Sequence, residues 1–378
     1  VETIINAAGT FTVLTAACMP PSVLAAVTKA ALHPVRLRDL QIKSGEYLAQ
    51  KLKCEGALVT SGASGAITLA TAGCMLNANP KLNYLDLPQN VETLPKKQVV
   101  VQKAHRYGYD HAMYLCGARV TEVVTADEAK RAFDTGNAIM TNFFNAAEEE
   151  DGPTGQAKIG REEWLRLSHD HNVPCLLDAA ADMPPIENLW KYTAMGFDLV
   201  CFSGGKGIRG PQNAGLLLGK KNLIELALKN DNPGDGVGRG MKVAKEQIVG
   251  MVAAVDWVLS QSEDEMQASY RRGCEVVARA VKNVPSVKTE IVVPLIANHI
   301  PHLLIRFDPA KLGVTTPEIV KKLREVKPSI ELNPHTGHLP GQGVNSDANT
   351  LVVNTWMLQP GEDAIVGRRI RAALLKKA

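Results

Sequence analysis

No apolar run in this chain approaches the roughly 18 residues of a membrane span, and no Cys-x-x-Cys pair or long run of like charge is present. Redox and metal sites of the Cys-x-x-Cys kind are thereby disfavoured. The formal net charge is only +3 over 378 residues, so charge gives no reason to expect a nucleic-acid partner. The first residues, VETIINAAGT, lack the basic and apolar regions of a signal peptide; they also lack an initiator Met, which leaves trimming open. Seven cysteines (18, 54, 74, 116, 175, 201, 274) are odd in number and widely spaced. Most sit in apolar stretches, as reduced cysteines of a cytoplasmic protein do. No repeat or low-complexity segment is visible.

What is present is ordinary for a water-soluble globular chain: 45% hydrophobic and 21% charged residues, enough for two domains. Helical patterns at 22–32, 37–53, 66–76 and 161–171 alternate with apolar strand-like runs at 56–60, 98–102, 118–124, 137–144, 173–178, 197–203 and 214–219. Such alternation predicts an α/β fold with a mostly parallel central sheet covered by helices on both faces. The run NDNPGDGVGRG (230–240) interrupts it as a linker or an ordered functional loop. Long helices near 242–261 and 263–283 follow. Short strands at 287–293, 302–307 and 351–354, and helices near 317–325 and 361–376, predict a smaller C-terminal α+β domain. The expected organisation is an N-terminal segment (1–30) near the active site, a large domain (31–235) and a small domain (236–378).

Ligands in open α/β sheets bind beyond the carboxyl ends of the strands, and three features fall at such ends. Ser61-Gly62-Ala63-Ser64-Gly65 lies between a strand and a helix, where small residues offer backbone N–H groups to a phosphate. An ordinary tight turn is an equal reading, and neither the Walker pattern nor Gly-x-Gly-x-x-Gly is matched. Asp178 closes the apolar run CLLD; a buried carboxylate there needs a partner, although helix capping is a common use of Asp. Asp182 is a weaker candidate of the same kind. Lys206 stands in CFSGGKGIRG (201–210), among glycines. A lysine in a partly desolvated pocket has a lowered pKa and attacks carbonyls, whereas an exposed or phosphate-binding loop lysine is the plainer reading. Together, cup, carboxylate and amine are what pyridoxal 5'-phosphate requires: a phosphate anchor, a partner for the pyridine nitrogen, and a Schiff-base lysine.

The stretches LVTSGASGAITLATAGCM, HRYGYDHAMYLCGARV, LLDAAADMPP, FDLVCFSGGKGIRGPQNAGLLLGKKNLI and GRGMKVAKEQIVGMVAAV resemble the selenocysteine synthase (L-seryl-tRNA selenium transferase)-like family of pyridoxal-phosphate enzymes. The resemblance runs from INAAGTFTVL to the terminal helix. It implies a fold-type-I, aspartate-aminotransferase-like fold, with Lys206 forming the internal aldimine and Asp178 facing the pyridine nitrogen. Ser203, with Gly62, Ala63 and Ser64, is implied to hold the phosphate. His105 falls where fold-type-I enzymes stack a ring over the cofactor; a solvated loop histidine is its alternative. Arg239 is a candidate for a substrate carboxylate or phosphate, or else a hinge arginine. Thr10 is a candidate wall of the substrate pocket, though a turn residue is the commoner use. The pairs His299/His302 and His335/His338 lack helical spacing and a third ligand, so no metal is expected. The basic stretch YRRGCEVVARAVK reads as a solvated helix face.

Within that family, DAAADMPP and GRGMKVAKEQI resemble the small-molecule branch that includes D-glucosaminate-6-phosphate ammonia-lyase-like proteins. INAAGT begins at residue 4 of this sequence, so the N-terminal tRNA-binding domain of selenocysteine synthases is not expected. The expected reaction is α,β-elimination on a small hydroxy amino acid or amino sugar acid, phosphorylated or not, to a keto acid and ammonia. Racemisation, aldol cleavage, a selenocysteine-synthase-type transfer and non-catalytic binding stay open. A homodimer or larger homo-oligomer is expected, with no membrane and no nucleic-acid partner.

Overall fold

The computed structural model describes residues 1–149, 158–333, 338–339, 344–345 and 347–376. The chain divides into two compact units, Met19–Ser260 and Val1–Cys18 with Gln261–Ala378. Strand β1 (Ile4–Ala7) belongs to the second of these. The first unit then carries α1 (Pro21–Ala31), α2 (Leu37–Lys51), β2 (Gly56–Thr60), α3 (Gly62–Ala78), β3 (Gln98–Gln102), β4 (Arg119–Val123), α4 (Ala126–Asp134), β5 (Ala138–Phe144), α5 (Arg161–Asp170), β6 (Cys175–Asp178), α6 (Asn188–Ala194), β7 (Leu199–Ser203), β8 (Gly215–Gly219), α7 (Lys221–Asn230) and α8 (Lys245–Leu259).

Its seven strands form one sheet in the order β2-β8-β7-β6-β5-β3-β4, in which β8 pairs antiparallel with both neighbours and the remaining pairs are parallel. The sequence explains why the sheet is covered. Every residue of β2, β6 and β8 is buried, and continuous apolar strands need cover on both faces. One covering element is α3, whose residues from Gly65 to Leu76 are all buried, as expected for a helix apolar all round. Gly73 lets it approach α7: an added Cβ would lie 2.9 Å from Ala227 N. The core between α3 and the sheet includes Leu58, Ile67, Leu69, Val99, Val101, Leu176, Leu199 and Leu217.

The sequence placed the boundary near 235, but the first unit runs on through α8. That helix packs on α1 and α2. Tyr47 donates its hydroxyl to Asp256 Oδ1 at 2.8 Å, and Lys245 Nζ donates to Ala30 O at 2.7 Å. The loop after α7 is ordered rather than a linker: Gln41 Nε2 donates to Asp231 Oδ2 at 3.0 Å and to Asn232 O at 2.9 Å.

In the second unit, α9 (Glu263–Val281) is followed by β9 (Lys288–Val292), β10 (His302–Arg306), α10 (Pro309–Leu312), α11 (Thr316–Glu325), β11 (Ser329–Leu332), β12 (His338–Leu339), β13 (Val344–Asn345), β14 (Thr350–Asn354) and α12 (Glu362–Leu374). β1 joins it by pairing in parallel with β11, and β14, β10 and β9 form an antiparallel sheet. Ile5, Val277, Leu303, Ile305, Leu323, Ile330 and Val353 share its core. The α+β character expected for the C-terminal part is therefore present. Among the described residues no helix is long and apolar enough to cross a membrane.

At the amino ends of the parallel strands, the buried Asp198 ties the first unit together. Its carboxylate accepts from Cys175 N at 2.8 Å and from His169 Nε2 at 2.9 Å, and pairs with Lys220 Nζ at 2.6 Å. Asp198→Ala leaves a buried N–H unmet. It is expected to lower the unfolding free energy by ~2 kcal/mol, read from urea midpoints; an unchanged midpoint would show the three contacts to be idle.

Candidate active site

Because β8 alone runs against the others, the carboxyl ends of β2, β3, β5, β6 and β7 share one edge of the sheet, where β8 begins. Register makes the arrangement explicit. Thr60 and Ser203 both lie opposite Gly215, and Asp178 lies opposite Phe144 on one side and Cys201 on the other. The Ser61–Gly65 turn, the Asp178 carboxylate and the lysine loop thus leave strands on the same edge of the sheet.

The glycines around Lys206 are required by close packing. Gly204 N–H donates to Ala214 O at 2.8 Å, and Gly210 N–H to Gly204 O at 2.8 Å. A Cβ on Gly205 would lie 2.7 Å from Gln212 Cα, and one on Gly207 2.0 Å from the Met183 carbonyl oxygen. The loop is folded onto itself and onto the segment that follows Asp178. Lys206 is half-buried within it. Desolvation lowers the pKa of its ammonium group, against the opposing charges of Asp178 and Asp182. That favours the neutral, nucleophilic amine.

Asp178 is buried, 3% exposed, and meets donors on both oxygens. Ala180 N–H donates to Oδ1 at 3.0 Å and the Cys201 thiol to the same oxygen at 3.5 Å. The Tyr107 hydroxyl donates to Oδ2. The Tyr107 ring stacks on Phe144 with centroids 4.1 Å apart and planes at 4°. Sequence reasoning did not single out Tyr107, Phe144 or Cys201. The available signal was the aromatic pair in HRYGYDH just beyond the end of β3.

Asp182 is fully enclosed. Asn145 donates through Nδ2 both to its Oδ2 and to the Tyr192 hydroxyl, the latter at 2.9 Å. Burial lifts the Asp182 carboxyl to about 7; the Asn145 hydrogen bond opposes the rise, as does the charge of Lys206, while Asp178 adds to it. This second acid near Lys206 is better built than the sequence alone indicated.

The turn into α3 has the form of an anion cup. Ser61, at its N-cap, makes no side-chain capping bond, so the first-turn N–H groups of α3 have no side-chain partner there. Gly62 has φ +66° and no atom within 4 Å of where a Cβ would stand. On the other side the turn is pressed against β8: a Cβ on Gly215 would lie 2.4 Å from Gly62 C. Ala63 is half-buried and Ser64 exposed. Ser203, half-buried at the end of β7, donates its N–H to Ala180 O at 3.3 Å. An open turn, a buried carboxylate and a half-buried amine on one sheet edge fit pyridoxal phosphate.

His105 is 2% exposed and meets Phe143 edge-on, with centroids 4.4 Å apart. Neither of its ring nitrogens has a hydrogen-bond partner among the described residues, and burial, then the charge of Lys158, pushes its pKa down to about 3. It is therefore Tyr107 that touches Asp178. Arg239 is exposed, in a short helical turn at Val237–Met241. Thr10 belongs to the second unit; it is half-buried just after a turn in which Asn6 Oδ1 accepts from Ala8 N and Gly9 N, both at 3.1 Å. His299 and His302 each point Nδ1 at a nearby backbone carbonyl, Pro294 O at 2.6 Å and Ile300 O at 2.8 Å. His335 lies outside the described residues, as does the side chain of His338. Among the described residues no cluster of three metal-ligating side chains occurs.

No family model matches the chain. It is 26% identical over 98% of its length, and 90% of the relative's, to a 5'-C-glycyluridine monooxygenase-decarboxylase from a Streptomyces species. It is 26% identical over 97% of its length, and 94% of the relative's, to the D-glucosaminate-6-phosphate ammonia lyase of Salmonella typhimurium. The resemblance read from the motifs holds along the chain. To an L-seryl-tRNA(Sec) selenium transferase of Aquifex aeolicus it is 22% identical, over 65% of this chain and 55% of that protein. A solved D-glucosaminate-6-phosphate ammonia-lyase superposes with a TM-score of 0.77 at 22% identity, covering 99% of this chain and 96% of that one. An alanine–glyoxylate aminotransferase from Nostoc superposes at 0.57 with 14% identity, covering 100% and 95%. The fold is the fold-type-I, aminotransferase-like one.

Asp182 makes a pH prediction. A carboxyl that binds its proton more tightly in the folded chain (about 7) than at its ordinary value of 3.8 stabilises the fold at low pH; that contribution is lost as pH rises through the higher value. Asp182→Asn is expected to flatten the decline in unfolding free energy between about pH 4 and pH 7, measured by urea titration across that range. A profile identical to wild type would contradict a proton-holding Asp182.

Proposed function

We propose that this chain is a pyridoxal-phosphate-dependent carbon–nitrogen lyase. Its substrate is a small hydroxy amino acid or amino sugar acid, phosphorylated or not, and its products are a keto acid and ammonia. The observation that carries the reading is the convergence, on one sheet edge, of the lowered-pKa amine of Lys206, the buried Asp178 and the open turn at Gly62. The ammonia-lyase name of a relative matched over 97% of the chain supports the reaction class.

When bound, pyridoxal phosphate supplies an electron sink for the bonds at the substrate's α-carbon. The chain's own residues do the rest. Gly62, Ala63 and Ser64, with Ser203, hold the phosphate at the N-terminus of α3. Asp178 would partner the pyridine nitrogen. Lys206 Nζ would hold the cofactor at its aldehyde carbon and, when free as the neutral amine, would take the substrate's α-proton. Loss of the β-hydroxyl with that proton amounts to loss of water; hydrolysis of the resulting enamine returns the water and releases ammonia and a keto acid. Arg239 is retained as a candidate contact for a substrate carboxylate or phosphate, Thr10 as a candidate wall of the substrate pocket, and His105 as a candidate ring over the cofactor. We further propose a homodimer or larger homo-oligomer acting on a small molecule in the cytoplasm, where the seven unpaired cysteines stay reduced.

A second reading, another reaction at the same α-carbon, is favoured by the decarboxylase name of the other full-length relative. One experiment separates the two. The purified protein is incubated with hydroxy amino acids and amino sugar acids in deuterated water, and keto acid, ammonia and α-deuterium are measured. Keto acid and ammonia in equal amounts are expected, and both disappear in Lys206→Ala with the visible absorbance of the bound cofactor. Deuterium exchange without keto acid would overturn elimination in favour of a racemase-type reaction.

A further inference from the structure

We propose that Tyr107 is a positioning residue for the cofactor ring: its hydroxyl fixes the Asp178 carboxylate so that one acceptor position on Oδ2 remains for the pyridine nitrogen. The proposal rests on the pyridoxal-phosphate reading above and assigns a role to a residue that is not among the candidate site residues named from the sequence.

A carboxylate offers about four lone-pair positions. Here three are met by the chain itself: Ala180 N–H and the Cys201 thiol on Oδ1, and the Tyr107 hydroxyl on Oδ2. Among the described residues, then, Oδ1 accepts two donors and Oδ2 only the tyrosine. The Ala180 bond is local, two residues from Asp178, and would form in any turn of this shape. The Tyr107 bond spans 71 residues and is held from its other end as well. The ring lies flat on Phe144, which sits opposite Asp178 in the sheet. Burial, then the charge of Asp178, drives the Tyr107 pKa well above its usual value, so the group remains a donor wherever the protein is folded. Without it, Oδ2 has no protein donor among the described residues, and the carboxylate gains freedom to turn about Cβ–Cγ.

Tyr107→Phe deletes the hydroxyl and keeps the stacking ring. Cofactor affinity is read by equilibrium dialysis of the full-length protein against pyridoxal phosphate. The ratio of the visible to the near-ultraviolet band of the lysine-bound cofactor is read in the same samples. Affinity is expected to fall about tenfold or more, with an altered band ratio and a thermal midpoint of the cofactor-free protein close to wild type. The double variant with Asp178→Asn is expected to lose little beyond Asp178→Asn alone, since the tyrosine acts through that carboxylate. Unchanged affinity and band ratio in Tyr107→Phe would overturn the proposal. So would tighter binding, which would mean that the hydroxyl competes with the ring for Oδ2. Absence of any lysine-bound band in the wild type would instead overturn the cofactor reading itself.

Discussion

An added Cβ on Gly207 would lie 2.0 Å from the carbonyl oxygen of Met183. No side chain fits there, and a backbone carbonyl cannot swing aside as a flexible side chain does. That contact joins the loop carrying Lys206 to the segment carrying Asp178 and Asp182. A second contact of the same kind, Gly215 against Gly62, fixes the turn into α3 on the strand that follows the lysine loop. The amine, the carboxylate and the anion cup are thus set by backbone against backbone, on the rigid end of a buried sheet. Sites so held keep their geometry better than sites carried on long loops.

The electrostatics follow from that packing. Two buried carboxylates and one half-buried amine share a small region, and each responds differently. Desolvation wins at Lys206 and lowers its pKa despite both acids. It wins again at Asp182, whose proton is held to about 7. Asp178 instead is met by three donors. On this account Lys206 moves the proton and Asp178 aligns the ring, while Asp182 stays enclosed behind them with Asn145 and Tyr192.

Much of this was legible in the sequence because the chain is locally consistent. Apolar runs without alternation gave the covered sheet, and the turn, the acid and the lysine loop, read in order from the sequence, do leave strands on one edge of it. The antiparallel direction of β8 was not legible. AGLLLG reads the same in either direction, and only the tight GGKGIRG return decides it. The unit boundary was misplaced because NDNPGDGVGRG has the composition of a linker, yet Asp231 and Asn232 are hydrogen-bonded to Gln41 on α2. His105 was legible as a residue near the strand end. That its ring turns to Phe143 while Tyr107 reaches Asp178 depends on which faces of β5 the two loop residues meet. Periodicity does not carry that information across 71 residues of sequence.

The central claim is that one amine carries the cofactor. It is tested most directly by reducing the pyridoxal-phosphate-loaded protein with borohydride, digesting it and locating the modified peptide by mass spectrometry. The account predicts a single pyridoxyl group on the peptide containing Lys206. Attachment to a different lysine, or a protein left unmodified after loading and reduction, would contradict it.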